Sequence, residues 1–342
     1  AAAMISVILC LEMIDTWQTW LMLRFFTGVA VCGLYAVIES WLTSQSTADS
    51  RGRVLASYTF ITLTAMTVGQ LLINVGPIEN SVPFTLAAVF MALAIIPVGL
   101  TRRMAPAPAP ATQGGFKLLY LRSSSAFLGA LLSGLVMGSF WSLGAVFAGR
   151  DGQPQLEVTW FMSVAIAGGA LLQYPLGWLS DRIDRRKVLV MLSIAAALSS
   201  VAVALSTNQP WHLAAVFMFG ATAMPIYAIA LATAADVCTS EEFVTMGTAV
   251  LLLHSIGAVV APIALGQVMS VFGAASLFWS FCILLTLFAG TFYLLTRKPR
   301  VVTVEEQMPF SSVASEVAPT SFELDPRALE LEETDIDSTP PA

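Results

Sequence analysis

Long apolar runs separated by short polar breaks dominate the chain. Ten such runs occupy residues 1–14, 20–42, 54–76, 82–101, 123–148, 157–176, 188–206, 211–235, 244–270 and 274–296. Crossing ~30 Å of hydrocarbon takes about 20 mainly apolar residues as a helix. Every run after the first is of that order. None shows the two-residue alternation of a barrel strand, and a helix satisfies its backbone polar groups within the segment, as hydrocarbon requires. The pattern therefore predicts an all-α membrane protein.

The breaks set the domain organisation. Arg102 to Gly115 is rich in Pro, Ala and Gly and poor in large apolar residues, the composition of a semi-rigid connector. Four runs precede it and six follow. The predicted units are a partial helical bundle over 1–101, a linker over 102–121, a six-helix bundle over 122–297 and an acidic tail over 298–342. The tail carries Ser, Thr, Pro and Glu and few large apolar residues, which predicts a disordered extension. It is either simply solvated or a site for recruiting a partner.

Composition agrees with the pattern. Hydrophobic residues make up 57% of the chain and charged residues 11%, with a mean hydropathy of +0.79. That leaves too little polar surface to cover a soluble globule. The net charge of −6 conceals two regions of opposite sign. Residues 1–300 hold 15 basic and 12 acidic groups, whereas residues 301–342 hold 1 basic and 10 acidic. Taking the breaks alternately, 13 of the 16 basic residues fall on one side, including Arg51, Arg53, Arg122, Arg185 and Arg297. Lys and Arg accumulate in cytoplasmic loops, so that side is expected to be cytoplasmic, with both ends of the chain inside and the bundle in the inner (plasma) membrane. No basic face suited to nucleic acid stands out. The four cysteines lack metal or redox spacing, and no cofactor motif, Walker loop or catalytic constellation appears. An enzyme and an ATP-driven pump are not expected.

The most charged break is Gly177-Trp-Leu-Ser-Asp181-Arg182-Ile-Asp184-Arg185-Arg186-Lys187, with six charges in eleven residues. Basic residues alone would suffice for a topogenic stop signal, and that reading does not require Gly177 or Asp181. The pattern G-x-x-x-D-R-x-x-R-R-K resembles the cytoplasmic loop signature of the major facilitator superfamily. Gly33-Leu-Tyr-Ala-Val-Ile-Glu39-Ser-Trp41, Gly69-Gln70-Leu-Leu-Ile-Asn74, the D-R-x-D-R-R loop and Pro225-Ile-Tyr227 are similar to the YcaD-like branch of that family. The resemblance implies a major facilitator fold of two pseudo-symmetric bundles working by alternating access. It implies that the loop is a latch that breaks as the halves rock, assigning Gly177, Asp181, Arg182, Arg185 and Arg186 to the gate. Asp184 stands where many members have glycine.

An internal repeat supports two related halves. A shift of 192 residues places Gly28 on Gly220 and Tyr35 on Tyr227. The second run thereby matches the eighth, the fourth helix of its half. Ten of twelve helices are then expected in this sequence, with residues 1–101 supplying helices 3 to 6 of the fold and two helices lying upstream.

Intramembrane polar residues supply the remaining candidates. Arg24, Gly28, Tyr35 and Glu39 fall within about 60° of one another on one helical stripe at about 100° per residue. Ionisable residues on such a stripe are expected to face a bundle interior or watery cavity. Arg24 followed by Gly28 and Gly33 resembles the fourth-helix motif of proton-coupled members. Burial in general favours the neutral form of a carboxylate, which makes Glu39 a candidate proton carrier. The competing reading has Glu39 reaching the interface beside Trp41. His254 is a candidate for proton coupling or a packed histidine. Tyr35, Gln70, Asn74 and Tyr227 are candidates for a substrate cavity, with interhelical hydrogen bonding as the alternative for the polar face of the third run.

The expected function is secondary active transport of a small molecule across a lipid bilayer, coupled to protons, with export favoured by a largely apolar cavity. The alternative is a non-transporting membrane receptor or scaffold acting through the acidic tail.

Overall fold

The computed structural model describes residues 2–13, 16–46, 48–77, 81–100, 115–206, 211–297, 299, 302–304, 306–310, 322 and 325. All regular elements among them are helical. In chain order they are α1 (Ala2–Met13), α2 (Trp17–Gln45), α3 (Ala48–Leu72) continued by a 3-10 turn (Ile73–Val75), α4 (Val82–Leu100), α5 (Phe116–Arg122), α6 (Ser124–Ser133), a π-helical turn (Gly134–Gly138), α7 (Ser139–Ala148), α8 (Gln155–Ser180), α9 (Arg185–Leu205), α10 (Trp211–Ala223), α11 (Pro225–Ala235), α12 (Ser240–Phe272) and α13 (Ser276–Thr296).

Each of the ten apolar runs forms helix among its described residues. Eight helical stretches among the described residues are long and apolar enough to cross a membrane. Two of the expected spans are shorter: α1 has 12 residues, and the apolar part of α4 is Val82–Pro97. Two others are interrupted. The fifth run divides into α6, the π turn and α7, and the eighth breaks at Met224 before Pro225, which lacks the N–H a continuous helix would use. Residues 102–114 of the expected linker lie outside the described residues, but its end, from Phe116, is α5, anchored by the buried side chain of Leu119. The ninth run begins earlier than its apolar residues because Thr239 and Glu242 form a capping box.

The second half is the better packed. α13 lies along α9, and α10 lies against both α8 and α9. Their shared core is aromatic: Phe219 stacks on Phe281 at 5.6 Å between ring centroids, and Phe147 meets Phe278 at 4.6 Å. Hydrocarbon provides no hydrophobic force between helices, so their association depends on close packing. Glycines supply it where α12 meets the π turn. A Cβ on Gly134 would stand 2.0 Å from the His254 carbonyl oxygen, and one on Gly138 would stand 2.2 Å from Ala258 Cα. The π turn leaves carbonyls without their usual helical partners, and the Ser139 hydroxyl donates to the Leu135 carbonyl at 2.8 Å.

In the first half, α1 packs on α2 and α4, and α2 presents Phe25, Phe26 and Val29 outward. A belt of exposed large apolar side chains suits lipid contact. The halves meet through α3 and α8. At the end opposite the charged loop, the Gln155 amide donates to the carbonyls of Ile73 and Gly76, and the Thr159 hydroxyl donates to Asn74 Oδ1 at 3.2 Å. At the charged-loop end, Leu55 of α3 joins Leu119, Phe243 and Met246 in one buried cluster.

Gly134→Ala and Gly138→Ala are expected to destabilise the detergent-solubilised protein by about 1–3 kcal/mol each through overpacking against backbone. Gly28 and Gly69 have open space where a Cβ would go, so their alanine variants should unfold within ~0.5 kcal/mol of wild type. Urea unfolding in mixed micelles separates the two classes, and equal effects at all four positions would refute the packing argument.

Candidate functional site

The charged loop becomes a cluster of buried charge through two helix ends. α8 stops at Asp181, and Asp184 caps α9, its carboxylate accepting from the Arg186 N–H at 2.9 Å. This cap gives Asp184 a structural role: a carboxylate accepts from the free amides at a helix start. Arg186 folds back onto the same carboxylate at 2.9 Å and donates to the Leu295 carbonyl at the end of α13. One position on, the chain enters the helix with Arg185 pointing inward, only 1% exposed.

A buried guanidinium requires compensation on several sides. Arg185 bonds Asp181 at 2.8 Å and Asp236 at 2.5 Å, and donates to the Ala232 carbonyl at 2.8 Å. A further bond goes to the Met308 carbonyl. The cluster thus ties the end of α8, the start of α9 and the end of α11 to the segment after α13. Arg182 instead turns outward, its guanidinium 3.6 Å from the centroid of the Trp178 ring. Gly177 is filled from above: a Cβ there would stand 2.1 Å from the Phe310 ring.

Asp236 is the candidate site residue that sequence reasoning missed. It is the lone acid closing the eighth run, ahead of Thr239-Ser-Glu-Glu242. An acid at the same end of the bundle as an arginine-rich loop was the available signal.

The intramembrane candidates separate into three places. Glu39 is fully buried and accepts from the Tyr58 hydroxyl at 3.0 Å. It is the one buried side chain among the described side chains of α2. A cavity of about 320 Å³ opens beside Tyr58, lined by Leu42, Arg53, Val54, Ser57, Tyr58 and Ile61. Tyr35 is half-buried one turn earlier. Arg24 is exposed, 4.5 Å from the Trp20 ring, and lies about 22 Å along the helix from Glu39 at ~1.5 Å per residue.

Tyr227 and His254 come together in the second half, with ring centroids 5.0 Å apart. His254 is buried, and its Nδ1 is 2.9 Å from the Ser133 hydroxyl. This trio sits where α6 gives way to the π turn. Gln70 is half-buried on α3. Asn74 stands at the contact with Thr159 between the halves.

The sequence profile described as the Major Facilitator Superfamily matches residues 126–327. That match covers more than half of the sequence. The chain belongs to the major facilitator superfamily. It is 29% identical over 254 residues to the uncharacterized MFS-type transporter YcaD of Escherichia fergusonii, covering 73% of this chain and 65% of the relative. The YcaD protein of Salmonella paratyphi B is 28% identical over 251 residues, covering 72% and 64%. The chain therefore spans somewhat under two thirds of the length of these curated relatives. Among solved structures, an alanine-substituted form of the Escherichia coli fucose:proton symporter FucP superposes with a TM-score of 0.50 at 14% identity, covering 84% of this chain and 80% of that one. At that identity the likeness carries the fold alone. Family and fold together establish a multi-pass, all-helical membrane protein.

Removing one partner of this cluster leaves an uncompensated buried charge. Arg185→Ala and Asp236→Ala should each lower unfolding stability by about 3–5 kcal/mol. The double variant should lose less than the sum, since the two share one interaction. Arg182→Ala, at an exposed ring contact, should cost several-fold less. Denaturation in micelles measures all four, and additive single effects would show that Arg185 and Asp236 do not act as a pair.

Proposed function

We propose that the protein is a secondary active transporter that moves a small molecule by alternating access, coupled to protons, with Glu39 as the proton-carrying group. The observation that carries this reading is the burial of Glu39. A carboxylate is an expensive group to hold inside a membrane helix bundle, yet it is the described side chain that α2 buries, while that helix turns phenylalanines outward. The Tyr58 hydroxyl fixes its orientation at 3.0 Å, and the neighbouring cavity offers a route for a proton or substrate.

On this reading the two halves rock about the seam between α3 and α8. Asp181, Arg185 and Asp236 form the latch at the charged-loop end, placed in the cytoplasm by the excess of basic residues there. Both ends of this chain then lie on the cytoplasmic side of a bacterial inner membrane. The apolar lining beside Tyr58 suits a small amphipathic or neutral cargo and favours export. Arg24, exposed and far along α2, is left out of the proton path. His254, held by Ser133 and Tyr227, is the second-half group best placed to assist it.

The test is flux in proteoliposomes holding the complete protein and the pH dye pyranine, screened against a compound panel with and without an imposed proton gradient. Wild type should move at least one compound only with the gradient. Glu39→Gln should abolish that gradient dependence, and Tyr58→Phe should weaken it about tenfold, as expected for a lost hydrogen bond to a charged group. Gradient-independent flux by wild type would sink the coupling, and unaltered coupling in Glu39→Gln would remove Glu39 from it.

A further inference from the structure

The gate already carries a peptide, and it comes from the same chain. The N–H groups of Met308 and Phe310 donate to Asp236 Oδ1 and Asp181 Oδ2, each at 3.1 Å. The Met308 carbonyl accepts from Arg185. Alternate residues of one segment thus engage every charged member of the latch, and Pro309 between them has no N–H to satisfy. The Phe310 ring occupies the space above Gly177, where any Cβ would collide with it.

Twelve residues further on, Phe322 is fully buried. It lies in the cluster formed by Leu55 of the first half and Leu119, Phe243 and Met246 of the second. A Cβ on Gly247 would stand 2.8 Å from its ring, so this glycine too makes room for the tail. Phe322 therefore sits in the seam between the halves, at the charged-loop end. The opposite end is joined directly, through Gln155, Thr159 and Asn74.

We propose that the segment around Met308 and Phe310, together with Phe322, is a built-in plug on the gate. It occupies the latch and the seam, and holds the halves at rest with the opposite end closed. It has to leave before they rock. This rests on the transporter reading above, and its test needs neither a substrate nor a proton gradient.

Cys238 lies in the same buried cluster as Phe322, only 9% exposed, and reports on the plug. With Cys10, Cys32 and Cys282 replaced by Ser, a membrane-impermeant maleimide is applied to the charged-loop face of membrane vesicles holding the complete chain. Phe310→Ala/Phe322→Ala should raise the labelling rate of Cys238 at least tenfold, while Phe322→Leu, which keeps an apolar wedge, stays near wild type. A variant with a protease site in place of residues 298–301 is folded first and cut afterwards, which guards against misfolding of the double variant. In a background without native thiols, an Asn74→Cys/Thr159→Cys pair should cross-link efficiently with the tail intact and at least threefold less once it is displaced. Unchanged Cys238 labelling after displacement would overturn the plug. Faster labelling with unchanged cross-linking would show a cover that does not hold the halves, and would equally overturn it. Either failure leaves the flux test of Glu39 untouched.

Discussion

The guanidinium of Arg185 is the charge around which this end of the molecule is organised. At 1% exposure it has exchanged water for two carboxylates and two backbone carbonyls. The four partners come from three places: the end of α8, the end of α11 and the segment beyond α13. A buried ion with several partners is stable only while all of them are in position. That makes the cluster a poor source of stability and a good detector of arrangement. Moving any one element exposes or strands a charge, so the network favours discrete states over gradual deformation, as the proposed gate between two conformations requires.

Close backbone approach does for the second half what charge does for the gate. Gly134, Gly138 and Gly257 let α12 and the π turn meet without side chains between them. His254 and Tyr227 are held edge to face beside this contact. The interruption of regular helix coincides with the most polar intramembrane cluster of the half, an association often found at functional positions.

The halves are built unequally. The second has an aromatic core and buries much of each helix, whereas the first presents most of α2 outward and buries Glu39. A bundle that shields one carboxylate while leaving apolar side chains on its surface places the free-energy cost of burial on a group that can change charge. Apolar exposure costs little against lipid, so the asymmetry is tolerable only in a membrane. Each half carries a polar contact to a tyrosine, Glu39 with Tyr58 and Tyr227 with His254. The 192-residue repeat does not superpose the two contacts, since it places Glu39 on Leu231 and Tyr227 on Tyr35.

Much of this was legible in the residues. Helices follow from the length of the apolar runs, because hydrocarbon admits few other solutions. Asp181 and Arg185 were recognisable as site residues through the loop's resemblance to the family signature. Asp236 was not, since its pairing depends on which helix end comes alongside the start of α9, 51 residues away in sequence. The stripe joining Arg24 to Glu39 was correctly periodic, yet periodicity assigns a face and not a depth: one residue stays exposed and the other is buried. The tail shows the same limit. Its composition describes average solubility, while the docking of Phe310 and Phe322 depends on two gaps left by Gly177 and Gly247. Local sequence by itself determined the helices, the charged turn and the class of membrane protein, because backbone hydrogen bonding and hydrophobic length act within a segment. Which charges are compensated, which carboxylate is buried and what covers the gate were decided only by tertiary structure, because those energies depend on distances between segments far apart in the chain.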